Sequence, residues 1–260
     1  SGFLLRDAWT SRAHGLDAAR SVWDIPRMRL GLAFAAIGVG FLLLAITIGG
    51  LGWLYLWPAA SFLVVAVGYL RLGPRVLGKR RDGSLDPLRL VLLLPYFTAS
   101  WAVFHLLRLR GERCSDEVSP GIYVGRRPLA REIPACVSLV VDLTAELRPN
   151  ADVLSGRRYL CLPTLDGSAP DEVECRALIA ALCAWPGPIY IHCAAGHGRS
   201  ALVAAAILIQ RGLVRDPDEA VAALLRARPL VRMSRAQLLL LQRLATRPEQ
   251  ATIPSDEASR

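Results

Sequence analysis

Between Pro188 and Ser200 the chain reads P-I-Y-I-H-C-A-A-G-H-G-R-S, which sets a sulfur, a run of small residues and a guanidinium within eight positions. Ile189 to Cys193 is expected to be a strand, and an alanine-rich helix is expected to begin near Ser200. A strand ending on Cys193, a loop with Gly196 and Gly198, and a helix start gather backbone N–H groups around one point at a positive helix end. Such a point is an anion site. The same field favours a thiolate, so Cys193 is a candidate nucleophile. Arg199, six positions on, can return to the loop and hold two phosphate oxygens in a bidentate fork while charge builds in the transition state. Thiolate, amides and guanidinium together make a phosphoryl-transfer site, with Ala194, Ala195, Gly196, His197, Gly198 and Arg199 as the phosphate cradle. Ser200 is placed to hydrogen-bond the sulfur and improve it as a leaving group. Its plainer reading is a helix N-cap, and both roles can coexist.

Alternating short elements are expected to position this loop. Gly121–Gly125, Val137–Asp142, Tyr159–Pro163 and Ile189–Cys193 are β-rich, and helical stretches separate them. The pattern implies an α/β domain over 115–247 with a mainly parallel central sheet flanked by helices. Ser168-Ala-Pro-Asp is expected to open a helix running to Ala184, Asp216-Pro-Asp-Glu one that ends before Pro229, and Ser234-Arg-Ala-Gln a last one through a capping box. Asp142, after a strand, reads as a turn acid, and Gln237 as part of that capping box. The tail over 248–260 is polar and expected to be disordered.

The N-terminal half differs in kind. After a polar segment at 1–29, a membrane region is expected over 30–110. Leu30–Ile48 and Trp53–Leu70 carry no charge, the second has Trp53, Tyr55, Trp57 and Tyr69 near its ends, and only Gly49 to Gly52 separates them, so they read as a tight hairpin of two spans. Leu88–Leu107 contains Pro95 and His105 and is expected either to span or to re-enter. About 29 mostly polar residues precede the first apolar run, which is therefore expected to be an anchor and not a cleaved signal. Residues 1–113 hold 14 basic and 6 acidic side chains, against 17 and 16 in the remainder. Positive charge concentrated beside apolar spans points to anionic headgroups and argues against nucleic acid. Arginines before the first span and basic residues after the second put both on the cytoplasmic side by the positive-inside bias. A third crossing would place the C-terminal domain outside, whereas a re-entrant segment keeps it in the cytoplasm. Six cysteines without paired spacing fit reduced thiols and favour the cytoplasmic side.

His192, Cys193, Arg199 and Ser200 match H-C-x5-R-S/T, and on these residues the chain resembles the cysteine-dependent phosphatases of the protein-tyrosine and dual-specificity superfamily. The resemblance covers roughly Gly121 to Ala245. Gly121-Ile-Tyr-Val-Gly-Arg-Arg-Pro is similar to the opening strand of dual-specificity domains, and Leu162-Pro-Thr-Leu-Asp166-Gly to the family's general-acid loop. The family mechanism then implies attack by Cys193, protonation of the leaving oxygen by Asp166, and hydrolysis of a cysteinyl-phosphate, with no metal or cofactor. Asp171 is the reserve acid, and Asp166-Gly is also an ordinary turn pair. Phosphoinositide phosphatases of the tensin-homologue type carry loop lysines where this chain has Ala194 and His197, which weakens the case for a highly charged inositol head. His197 is expected at the substrate rim and His192 in a structural role. The leading expectation is a membrane-anchored phosphomonoesterase acting on lipid phosphates or phosphoproteins at the bilayer. The alternatives are a non-catalytic phosphate-binding module and a membrane scaffold with a vestigial domain.

Overall fold

The computed structural model describes residues 25–246 apart from residue 110, so the expected tail and most of the polar N-terminal segment lie outside the described residues. Helix α1, Ile25–Ile48, is apolar on every side after Arg29. Its 24 residues reach about 36 Å at 1.5 Å per residue, enough to cross a bilayer's hydrocarbon core. A 3-10 turn at Gly50–Tyr55 leads into α2, Leu56–Val67, which continues as a π-helical turn to Leu72. By length and composition the two helices ending at Ile48 and Leu72 can each cross a membrane. Leu32, Leu43, Leu51 and Leu54 are exposed along this pair, an arrangement that water penalises and lipid does not. On the inner side Phe34 packs against Tyr69 and Tyr96, with ring centroids 5.3 and 5.5 Å apart.

The third apolar stretch is two helices, α3 at Pro87–Leu92 and α4 at Leu94–Arg108. The break falls at Leu93, just ahead of Pro95, which occupies the first turn of α4 where a missing N–H costs nothing. Helix α4 is about 22 Å long, short of a full crossing.

Residues 115–246 form the α/β half. Its strands are β1 (Ser115–Ser119), β2 (Ile122–Arg126), β3 (Leu139–Thr144), β4 (Arg158–Thr164) and β5 (Ile189–Cys193), in the order β1-β2-β5-β3-β4. Every pairing is parallel except β1 with β2. The edge strand β1 was not expected from sequence, because S-D-E-V-S has little β-forming character, and its place is set by pairing with β2. Between β3 and β4 lies a short α5, Ala151–Leu154. The remaining helices are α6 (Glu172–Cys183), α7 (Arg199–Gln210), α8 (Pro217–Ala227) and α9 (Arg235–Ala245).

Period-two alternation decides what each strand buries. Leu139, Val141, Leu143, Ile189 and Ile191 join the main core around α7, whose residues from Arg199 to Leu208 are all buried. Val140 and Tyr190 face the other way into a smaller cluster under Val153. A third cluster joins the two halves of the molecule: Ala145 and Leu165 pack with Phe62, Tyr69, Leu77, Leu93 and Tyr96.

Two local expectations need correction. Helix α6 is capped by Asp171, whose carboxylate accepts from the Glu174 N–H, so Ser168 is not its cap and the helix starts at Glu172. Asp142 is no turn acid: it lies fully buried inside β3, and its charge is met by Lys79 at 2.7 Å.

Candidate functional site

The loop 194–198 follows the central strand β5 and precedes α7, and its orientation is fixed by what happens to its carbonyls. Ala194 O accepts from the Arg127 N–H, Ala195 O and Gly196 O from the Arg228 guanidinium, and His197 O from the Arg232 N–H. All four acceptors are bound from outside, so the loop can turn its N–H groups inward as an anion nest requires. Gly196 adopts φ +79, and a Cβ there would run into the peptide joining Gly125 to Arg126. Only glycine fits such a position without strain. The Gly196 N–H reaches Cys193 Sγ at 3.2 Å, a contact that strengthens when the sulfur is a thiolate. Ser200 Oγ lies 3.5 Å from the same sulfur. Gly198, not Ser200, is the residue before α7, and Ser200 sits inside the first turn. The N-cap reading of Ser200 is thereby corrected, while its proximity to sulfur stands.

Arg199 is 2% exposed, and its fork is already engaged. Glu146 takes both ends of it, with Oε2 at 3.0 Å from Nη1 and Oε1 at 2.8 Å from Nη2. Nη1 also donates to Thr164 O at 2.7 Å, and Nη2 to Asp166 Oδ1 at 3.0 Å. Among the described residues the buried Nε–H has no partner, an unmet donor that an oxyanion would satisfy. The edge made by Nε and Nη2 is therefore the one able to grip two phosphate oxygens once Asp166 releases its Nη2 hydrogen, since the Nη1 and Nη2 end is bound to Glu146. Burial opposes the guanidinium charge, but Glu146, Asp166 and Cys193 outweigh it and hold Arg199 above its usual range.

Asp166 follows β4 and is the exposed member of the set, with 64% of its side chain accessible. Asp171 is occupied as a helix cap, which leaves Asp166 as the acid of the pair that faces Arg199. Gln237 closes the capping box of α9 and donates to Ser168 O, both structural tasks. His197 pairs with Glu112 at 2.9 Å, and Glu112 comes from the segment joining α4 to β1. His192 is fully buried behind Cys193. Burial lowers its imidazole to about 4 against the opposing pull of Asp142, so the ring is neutral at pH 7. Cys161 and Cys175 are pushed up to about 12, chiefly by burial, and are inert as nucleophiles at neutral pH.

Glu146, Arg228 and Glu112 were not singled out from sequence. Two glutamates in ordinary contexts and one arginine among many carry no local pattern, and the roles of Glu146, Arg228 and Glu112 arise only when 53, 32 and 85 residues of chain are folded back.

Opening toward this loop is a cavity of about 470 Å³. One end is walled by Asp166, Glu146, Ala194, Ala195 and His197, and the other by Leu30, Phe34, Phe62, Tyr96, Val103 and Leu107 of α1, α2 and α4. Its wall is largely apolar.

Residues 127–249 match the family model of the Swiss Army Knife protein's DSP-PTPase phosphatase domain. Among solved structures, the chain is similar to PTPMT1 in complex with PI(5)P (23% identity, 51% of this chain and 94% of that one, TM-score 0.45). It is similar too to the active form of Tk-PTP (26%, 52% and 98%, TM-score 0.47) and to human DUSP28 (24%, 52% and 94%, TM-score 0.43). No curated protein matches the chain.

Proposed function

We propose that the domain at residues 127–249, which matches a DSP-PTPase phosphatase model, is a cysteine-dependent phosphatase of the protein-tyrosine and dual-specificity type that is anchored in a membrane and hydrolyses lipid phosphates. Cys193 Sγ attacks phosphorus, the phosphorus–oxygen ester bond breaks, and the departing oxygen takes a proton from Asp166. Inward loop N–H groups and the Nε and Nη2 edge of Arg199 carry the charge that grows on the equatorial oxygens. Water, activated by Asp166 as base, then releases phosphate from the cysteinyl intermediate, and Ser200 hydrogen-bonds the departing sulfur.

The single observation that supports a lipid substrate is the cavity. Its polar end is the phosphate cradle and its apolar end lies between α4 and two helices long and apolar enough to span a bilayer. A phosphomonoester with a hydrocarbon tail fits both ends at once, whereas a phosphopeptide leaves the apolar walls unused. A cytoplasmic placement is supported by charge. The segment after α2 carries Arg71, Arg75, Lys79, Arg80 and Arg81 and packs on the phosphatase domain, so both lie on one side, the one that basic loops favour.

The test is phosphate release by the full-length protein in bilayers, from lipid phosphates and from phosphopeptides. Lipid phosphates are expected to be the better substrates. Cys193→Ser is expected to abolish turnover while retaining substrate, and Asp166→Ala to slow poor leaving groups by roughly 100-fold or more. Equal or better turnover of phosphopeptides would sink the lipid assignment, and slow turnover that survives Cys193→Ser would return the domain to a binding module.

A further inference from the structure

One charged group from outside the family domain is fully buried within it. The chain has 31 basic residues, and Lys79 is the one lysine among them. It belongs to the loop between α2 and α3, where a bridge between Lys79 and Leu85 closes a turn over Arg80–Ser84. That loop is seated on the phosphatase domain: Gly83, at φ +82, lies so close to Pro149 and Tyr159 that a Cβ would meet each at 2.7 Å.

The lysine side chain is fully buried and Nζ has four acceptors. They are Asp142 Oδ2 at 2.7 Å, Thr144 O at 2.8 Å, Thr144 Oγ1 at 3.0 Å and Leu147 O at 2.6 Å. Thr144 and Leu147 are the two ends of the turn T-A-E-L, and the residue between them that matters to the reaction is Glu146, which holds both ends of the Arg199 fork. Asp142 supports the same turn from below, accepting from the Thr144 N–H and hydroxyl. A compact ammonium with three donors can serve carbonyls converging on one point, whereas a planar guanidinium cannot. That explains a lysine here in a chain that otherwise uses arginine.

We propose that Lys79 is a positioning residue for the phosphatase reaction: it fixes the 144–147 turn, the turn fixes Glu146, and Glu146 aims Arg199. The phosphate clamp is complete only when the loop of the membrane region is docked. This inference rests on the phosphatase reading of the cradle.

Replacing Lys79 alone strands a buried carboxylate and invites unfolding, so the decisive variant removes both charges, Lys79→Met with Asp142→Asn, in the full-length protein. Loss of a complete buried pair is tolerated far better than loss of one partner. Its kcat/KM for p-nitrophenyl phosphate is expected to fall on the order of 10- to 100-fold, as misplacement of a clamp by about 1 Å does. Orthovanadate affinity is expected to fall with it, at a melting temperature within a few degrees of wild type. Adding Glu146→Gln is expected to cost little more, because both changes break one chain of support. Unchanged kcat/KM and vanadate affinity, full additivity with Glu146→Gln, or failure of the paired variant to fold would each overturn the inference, the last because the lysine would then hold the domain and not the arginine. A wild-type protein that neither turns over p-nitrophenyl phosphate nor binds vanadate would instead defeat the underlying phosphatase reading.

Discussion

At the scale of single residues, the contrast between His192 and Asp142 sets how the protein responds to acid. His192 is lowered from 6.5 to about 4 in the folded state, chiefly by burial. Between those values the unfolded chain binds a proton that the native one does not, so stability falls as pH drops from about 6.5 toward 4. Asp142 acts lower. Burial alone would raise its carboxyl, but Lys79 and His192 hold it well below the usual carboxylate range, so its contribution persists above that range and is lost only in stronger acid. A His192→Asn variant is expected to show a flatter stability profile between pH 6.5 and 4 in denaturant titrations, and an unaltered slope would refute the assignment. At this scale the sequence was most informative about the loop, since Cys193, Arg199 and Ser200 lie within eight positions and carry their chemistry in their spacing. Glu146 and Lys79 were opaque for the opposite reason. Their partners lie 53 and 63 positions away, and no local pattern records a contact of that range.

Among elements, β5 is the best placed and the most legible. Ile189–Cys193 is apolar, β-branched and central in the sheet, and its bounds agree with those expected from sequence. The capping signals at Asp216 and Ser234 likewise mark the starts of α8 and α9, because each side chain accepts the N–H three positions on. Edge strand β1 was missed, since tertiary pairing and not composition creates it. The join between β5 and α7 also carries a prediction. Gly196→Ala is expected to displace the loop from the Gly125–Arg126 peptide, costing roughly 1–3 kcal/mol of stability as a forced left-handed residue does. It is expected to lower kcat/KM at least 100-fold. A variant of wild-type activity, measured on p-nitrophenyl phosphate, would show that the nest geometry is dispensable.

For the whole molecule, the cluster around Ala145 and Leu165 matters more than any single element, because it makes helices and phosphatase domain one packed body. Arg108 and Arg126 close the far end of the seam on Glu132, whose carboxyl burial would raise but the two guanidinium hydrogen bonds bring down to about 2. Sequence revealed two halves of opposite character and not the seam, since exposed apolar residues and apolar residues facing a partner domain look alike in one dimension. The cavity between the halves offers a test of substrate class. Ala99→Trp, on its apolar wall, is expected to lower the ratio of lipid phosphate to p-nitrophenyl phosphate turnover by about tenfold, in line with the selectivity steric pocket changes give. An unchanged ratio would mean that the tail lies elsewhere.

The pairing of Lys79 with Asp142 has a further consequence for how the chain matures. The two residues are 63 positions apart, so during synthesis the lysine emerges first and is without its acceptors until strand β3 has been made. Docking of that loop is a non-local step, comparable in sequence separation to the pairing of β2 with β5, and such contacts are slow to form because long loops must close first. A newly made domain therefore passes through a stage in which Asp142 is without its counter-charge and the turn bearing Glu146 is unsupported. On the positioning role proposed for Lys79, competence for hydrolysis waits on the docking of this loop.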